Sequence, residues 1–200
     1  MTQQNPPARR ARERILDAAA EVMRRDGLVH ATTKQIAREA ECSEALLYKH
    51  FPDKRDIFLS VLAERSTGLG LPAEMAGTST VRKNLVELTE RSIVFYQENF
   101  PMAASIFGST DLLTSHRNAM QQRGVGPHAV SAAVEQYLLE EAHLGRVDAA
   151  AVDAESVARL LTGGALHEAF LATYASESVE DPRRVAQRLV DSVNLGEITD

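Results

Sequence analysis

The stretch "TTKQIAREAECSEALLYKHFPDK", residues 32–54, decides how this chain folds. It reads as two short helices joined by a turn. Thr32 is a good N-cap, and Gln35, three residues on, completes a capping box in front of Ile36, Ala37 and Ala40. Ser43 caps a second helix from Glu44 to about Phe51, with Leu47 and Phe51 four residues apart and Pro52 ending it. Between them Glu41-Cys42-Ser43 forms the turn, which is the layout of a helix-turn-helix. In that layout Ile36, Ala37, Ala40 and Leu47 hold the two helices together. The opposite face of the second helix, with Glu44, Ala45, Tyr48 and Lys49, is free to enter a major groove. Thr32, Thr33 and Lys34 offer backbone N–H groups, hydroxyls and a cation to a phosphate, and Lys54 offers a cation to a second one.

Helical periodicity continues on both sides. Residues 1–8 read as a disordered tail. From about Arg9 to Arg25, Ile15, Ala18, Ala19, Val22 and Met23 make one apolar stripe, and Gly27 stops the helix after two arginines. Asp53 caps a fourth helix that buries Ile57, Phe58, Val61 and Leu62 and runs to the Gly68–Gly70 region. "GLGLPAEMAGTST", residues 68–80, is a break in composition and a domain boundary. Longer helices are expected at about 81–99, 101–115, 127–145, 153–175 and 181–194, with Pro101, Pro127 and Pro182 in first turns. "QQRGVGPH", residues 121–128, reads as a flexible connector. Strand signals are nearly absent. The expected fold is all-α, about nine helices: a helix-turn-helix domain at 9–55, a connecting helix and linker at 56–80, and a larger helical domain at 81–200.

The composition is that of a soluble globular chain: 44 % hydrophobic and 25 % charged residues. There is no apolar run of membrane-spanning length and no secretory h-region, so a cytoplasmic location is expected. The single cysteine, Cys42, excludes an internal disulfide framework and a thiol-based zinc site. A net charge of −6 argues against coating nucleic acid by bulk charge. The charge is uneven, however: residues 1–55 carry 11 Lys/Arg against 8 Asp/Glu, and residues 56–200 carry 11 against 20. A basic end on an acidic body suits a chain of which one end meets an anionic partner.

"RERILDAAAEVMRRDGLVHATTKQIAREAECSEALLYKHFPDKRDIF" strongly resembles the N-terminal domain of the tetracycline-repressor (TetR) family of transcriptional regulators. The matching elements are "ILDAA", the glycine near the helix end, "TT…IA…A", "S…LLYKHF" and the "K…IF" that follows. The similarity covers about residues 10–60, and "GRVD…DAESVARLLTGGALHEAF" later in the chain is in the style of the family's dimerisation helix. The resemblance implies a homodimer that places one recognition helix per subunit in successive major grooves of a near-palindromic operator. It also implies a small-molecule effector in the larger domain that releases the DNA. By position, the family's DNA contacts fall on Thr32, Thr33, Ser43, Ala45, Leu46, Tyr48, Lys49, His50 and Lys54. The chain departs from the family at Glu41, where a glycine commonly stands, at Glu44, often a lysine, and at Leu46, commonly small and polar. A left-handed backbone at Glu41 would carry mild strain.

Several residues admit two readings. Glu44 either stabilises its own helix start or accepts from a cytosine amine. His50 either meets phosphate or caps its helix. Cys42 is expected to pack inside the turn. Arg9, Arg10 and Arg12 are either a solvated run or reach DNA. In the larger domain, Phe95, Tyr96, Phe100, Phe107, Met120 and Tyr137 are either core or the lining of an effector cavity, with His116, Arg117, Gln136 and His167 as candidate polar groups. Val157, Leu160, Leu161, Gly164, Glu168 and Leu171, with Val185, Leu189 and Val193 on the last helix, make candidate faces for a dimeric four-helix bundle. No zinc helix, P-loop, nucleophile elbow or Rossmann turn is present, so neither catalysis nor a cofactor or metal is expected. The expected function is a ligand-responsive repressor that partners operator DNA, a second copy of itself and a small effector. The alternative is a helical dimeric protein-interaction module with a vestigial helix-turn-helix.

Overall fold

A computed structural model describes residues 7–64, 72–122 and 126–195, with only the backbone of 7, 8, 29, 62 and 63. Among the described residues the chain forms nine α-helices and one short 3-10 helix, with no strand. They are α1 (Pro7–His30), α2 (Thr33–Glu39), α3 (Glu44–His50), α4 (Lys54–Glu64), the 3-10 turn Pro72–Met75, α5 (Val81–Phe107), α6 (Thr110–Gln122), α7 (Ala129–His143), α8 (Ala154–Tyr174) and α9 (Pro182–Asp191). By packing they fall into two units, Met1–Ser66 with Pro101–Gly124 and Thr67–Phe100 with Val125–Asp200.

The first unit is built on the α1 stripe. Ile15, Leu16, Ala18, Ala19, Val22 and Met23 are all buried against Ile36 and Ala37 of α2, Leu47 of α3 and Ile57, Phe58 and Val61 of α4. Burying the larger of these side chains, the Ile, Leu, Val, Met and Phe, contributes roughly 1.5–3 kcal/mol each. Gly27 breaks α1 with φ +74° and ψ 165°, after which one further turn closes through the Ala31 amide on the Gly27 carbonyl. The capping box at Thr32 forms in both directions, and Gln35 also donates to Asp26 at 3.2 Å, tying α2 to the end of α1.

Both ends of the turn between α2 and α3 are closed by hydrogen bonds. The Cys42 amide reaches the Ala37 carbonyl at 2.9 Å and the Glu41 amide reaches Arg38 at 3.2 Å. This is a Schellman closure, and it puts Glu41 at φ +49°, in the left-handed region. Ser43 then accepts from the Leu46 amide at 3.1 Å and starts α3. At the far end Phe51 turns extended and its ring is buried, and Asp53 caps α4 through the Asp56 amide at 2.8 Å. Arg12 of α1 forks onto Glu64 of α4 at 2.7 and 2.8 Å and lies over the Phe51 ring, 5.4 Å from its centroid. The hydrogen bonds to Glu64 hold this guanidinium's pKa above its ordinary value.

The end of α5 and α6 complete this unit through Met102 and Ile106, with Leu112 and Leu113 packed beside them, and the Ser105 hydroxyl accepts from the Leu28 amide at 3.2 Å. Here the structure corrects the sequence reading. One helix, α5, runs through Pro101, where a new helix was expected, and α6 extends to Gln122 instead of 115. A proline inside a helix removes one i→i−4 bond and does not have to end it. The packing also divides at this point, since Pro101–Gly124 join the first unit although the sequence grouped all of 81–200 together. The Gly68–Gly70 stretch, most of the expected tail and the middle of the 121–128 connector lie outside the described residues.

The second unit packs α5, α7, α8 and α9 around Leu85, Leu88, Ile93, Val134, Tyr137, Leu138, Leu161, Ala165, Ala186 and Val190. One buried carboxylate organises its edge. Glu141 has no exposed surface; it accepts from the Tyr137 hydroxyl at 2.6 Å and the Gly77 amide at 3.3 Å, and faces Arg146 at 3.2 Å. Arg146 also donates to the Ser79 carbonyl, and Asn84 to the Met75 carbonyl at 2.8 Å, so segment 75–79 is pinned by side chains. Both hydrogen bonds fall on Oε1, while Oε2 faces the partly exposed Arg146 guanidinium as an ion pair without a hydrogen bond of its own. Asp153 caps α8 through the Ser156 amide and hydroxyl, the hydroxyl at 2.6 Å, and those bonds hold its carboxyl below the usual carboxylate range. At α9, Pro182 does occupy the first turn, behind an Asp181 cap. Gly164 lets α8 and α9 close up, since a Cβ there would stand 2.7 Å from Leu189 Cδ2.

Two expectations follow. Replacing Glu41 by Gly relieves the left-handed strain and should raise unfolding stability by about 1 kcal/mol in urea titration. His116 on α6 has a buried Nδ1 with no hydrogen-bond partner, and burial pushes its pKa below the ordinary 6.5. Below pH 6.5 the unfolded chain therefore takes up a proton that the folded one refuses. Stability should be full above that pH and decline beneath it. Urea midpoints between about pH 7.5 and 5.5 should show the decline, with a shallower slope in His116→Leu.

Candidate nucleic-acid interface

α3 is seven residues long, about 10 Å, and its own surface divides cleanly. Leu47 has no exposed surface and points into the first unit. Ala45, Tyr48 and Lys49 are exposed, Tyr48 by 47 %, while Leu46 and His50 are half-buried at the edges. Around α3 stand the other sequence-derived candidates. Thr32 and Lys34 are exposed at the start of α2, Thr33 is half-buried beside them, and Ser43 is exposed but engaged in capping. Lys54 opens α4 with its Nζ 5.0 Å from the Phe58 ring centroid, and burial holds its pKa below the usual lysine value. Cys42 packs against the core, and burial pushes its thiol pKa up, which keeps it in the unreactive form. A shallow depression lined by Thr32, Lys34, Gln35, Ala37, Arg38, Cys42 and Glu44 lies over the turn.

Glu44 does something neither sequence reading contained. Its carboxylate accepts from the Thr33 hydroxyl at 3.0 Å, and the Tyr48 hydroxyl lies 3.4 Å from the same Thr33 oxygen. Three side chains of the exposed face are thus linked across the two helices. No sequence signal marks this bridge, because the partners are 11 and 15 residues apart and meet only through the turn. Arg12, one of the tail arginines considered for DNA, is engaged with Glu64 and Phe51.

The effector candidates are distributed over both units. Phe107, His116, Arg117 and Met120 belong to the first; Phe95, Tyr96, Phe100, Gln136, Tyr137 and His167 to the second. Phe107 is 75 % exposed, and Arg117, Gln136 and His167 are also on the surface. Tyr137 is wholly buried with its hydroxyl on Glu141. Phe95 and Tyr96 form an edge-on pair at 5.4 Å, and burial raises the Tyr96 pKa. On the same helix Thr89 is buried and its hydroxyl has no hydrogen-bond partner.

Among the dimer candidates, Val157, Leu161 and Val185 are buried within the second unit, Gly164, Glu168, Leu189 and Val193 are half-buried, and Leu160 and Leu171 are exposed. The outward face of α8 is a stripe at alternating spacings of three and four: Leu160, Gly163, His167, Phe170 and Tyr174. Leu160 is 65 % and Tyr174 83 % exposed, a large apolar surface for a helix end to end with water. Phe100 of α5 extends it, 5.7 Å from Phe170, which lies 6.2 Å from Tyr174. Phe170 and Tyr174 were missed in the sequence, although the three-four spacing was there to find.

Residues 15–61 match the family described as bacterial regulatory proteins, tetR family. The nucleoid occlusion factor SlmA of Marinobacter nauticus is 30 % identical over 125 residues, 62 % of this chain and 62 % of that protein. The chain thus spans under two thirds of that relative's length. A crystal structure of a putative TetR-family transcriptional regulator from Mesorhizobium loti shares the fold, with a TM-score of 0.75 at 18 % identity over 94 % of this chain and 96 % of that one. FadR from Bacillus subtilis in complex with stearoyl-CoA has a TM-score of 0.62 at 15 % identity, covering 91 % of this chain and 99 % of FadR. A putative regulator from Saccharomonospora viridis in complex with choline has a TM-score of 0.65 at 19 % identity, covering 91 % and 96 %. The helix-turn-helix geometry and these matches agree: residues 15–61 form a helix-turn-helix domain of the tetR family, and the chain shares the fold of a TetR-family transcriptional regulator.

Proposed function

We propose that the protein is a cytoplasmic repressor that binds a near-palindromic operator as a homodimer and releases it when a small molecule occupies the second unit. The observation that carries the DNA-binding part is the division of α3. One residue, Leu47, anchors the helix in the core, while Ala45, Tyr48 and Lys49 lie on its exposed face. In a major groove Ala45 and the rim of Leu46 would meet thymine methyls, and Tyr48, Lys49, His50, Lys34 and Lys54 would lie against backbone phosphates. Thr32 and Thr33 would add hydroxyl contacts to the flanking strand.

Dimerisation is supported by the α8 stripe, whose exposed apolar surface is what a second copy would cover in a four-helix bundle. An effector is supported by two relatives of the same fold whose structures hold stearoyl-CoA and choline. Those ligands share no chemistry, so the fold does not specify the effector. Within this chain, the half-buried Phe95 and Tyr96 and the unpartnered Thr89 hydroxyl on α5 would provide an apolar wall with one hydrogen-bonding group.

The test is selection of bound fragments from the source genome, followed by mobility shifts on the recovered sequence. The expected sequence has two inverted half-sites centred about 10–10.5 base pairs apart, or a multiple of that. Lys49→Ala should weaken binding to all duplexes and lower the salt slope by about one. Leu160→Glu should give a monomer in sedimentation velocity and lose operator binding with it. Absence of any binding at low salt by a folded dimer would instead favour a helical protein-interaction module.

A further inference from the structure

We infer that Glu44 is an internal stand-in for a DNA phosphate, and that it sets how strongly the protein holds DNA of any sequence. The inference rests on the DNA-binding reading above and concerns what its exposed face does before DNA arrives. Three observations lead to it. First, Glu44 is not needed to start α3, because Ser43 already accepts from the Leu46 amide at 3.1 Å. Second, its carboxylate reaches back 11 residues to accept the Thr33 hydroxyl proton at 3.0 Å. Third, the Tyr48 hydroxyl also reaches the Thr33 oxygen, at 3.4 Å.

A hydroxyl has one proton to give. In the free protein the Thr33 proton is held by a carboxylate, an anionic acceptor of the same charge and lone-pair character as a phosphodiester oxygen. Thr33 cannot donate to a phosphate until it leaves Glu44, and Tyr48 is drawn into the same cluster. Binding to any duplex therefore exchanges one charge-assisted hydrogen bond for another, and Thr33 yields little net affinity. A correct operator can offset this through base contacts at Ala45 and Leu46, whereas a random duplex cannot. Glu44 is thus a positioning residue that suppresses non-specific binding, and its carboxylate does not have to touch a base.

The test is a double-mutant cycle read by fluorescence anisotropy on a mixed-sequence duplex over a salt series. Glu44→Ala should tighten binding about fivefold with an unchanged melting temperature. In a Thr33→Val background the same change should tighten it less than about twofold, because the hydroxyl to be released is gone. Thr33→Ala serves as a second background should valine disturb the start of α2. A gain that persists undiminished in both backgrounds, with a steeper salt slope, overturns the inference in favour of plain charge repulsion. A weaker Glu44→Ala overturns it in favour of a carboxylate that itself contacts DNA. If neither the native chain nor any variant binds the duplex at low salt, the DNA-binding reading fails first, and the inference fails with it.

Discussion

A two-turn helix does not hold itself together in water, and everything at the exposed end of the first unit follows from that constraint. α3 exists because each end is closed by a neighbour and one side chain is locked inside. The Schellman closure at Ala37–Cys42 fixes where the chain leaves α2, Ser43 fixes where α3 begins, and Leu47 and Phe51 fix its rotation about its own axis. None of these contacts is large. Together they determine which three or four side chains face outward, which is the quantity on which recognition depends.

The left-handed Glu41 shows how strongly the tertiary arrangement overrides local preference. A glycine would adopt this conformation without strain, yet the hydrogen bonds of Cys42 and Glu41 hold a glutamate there. Ser176, after α8, is held in the same way, at φ +59°, by its own amide bond to Thr173 and that of Glu177 to Ala172. The second unit relies on a different device. Its buried Glu141 gathers a tyrosine hydroxyl, a backbone amide and an arginine, so a segment without regular structure is fixed through one carboxylate.

The helix-turn-helix was legible in the sequence because its signals are local: caps three residues from their partners, apolar residues at helical spacing, a proline stop. Thr32 with Gln35, Ser43 with Leu46, and Asp53 with Asp56 all form as read. Pro101 was misread because a proline in a first turn and one inside a helix look alike until tertiary packing is known. In the site, local spacing identified the exposed face of α3 but not the Glu44–Thr33 bridge, which joins two helices across a turn. For the same reason the sequence grouped Leu160 with Leu161 on one face, where packing puts the first in water and the second in the core. The effector candidates were chosen by residue type alone, and type does not distinguish Tyr137, sealed on Glu141, from the half-buried Tyr96.

The close approach at Gly164 has an evolutionary corollary. Leu189 fills the space that any side chain at 164 would need, so the two positions share one volume. A descendant of this chain can gain a methyl group on α8 only if the residue facing it on α9 shrinks or swings aside. Drift at these positions is therefore expected in pairs, and a lone change at either one leaves a clash or a hole at the seam.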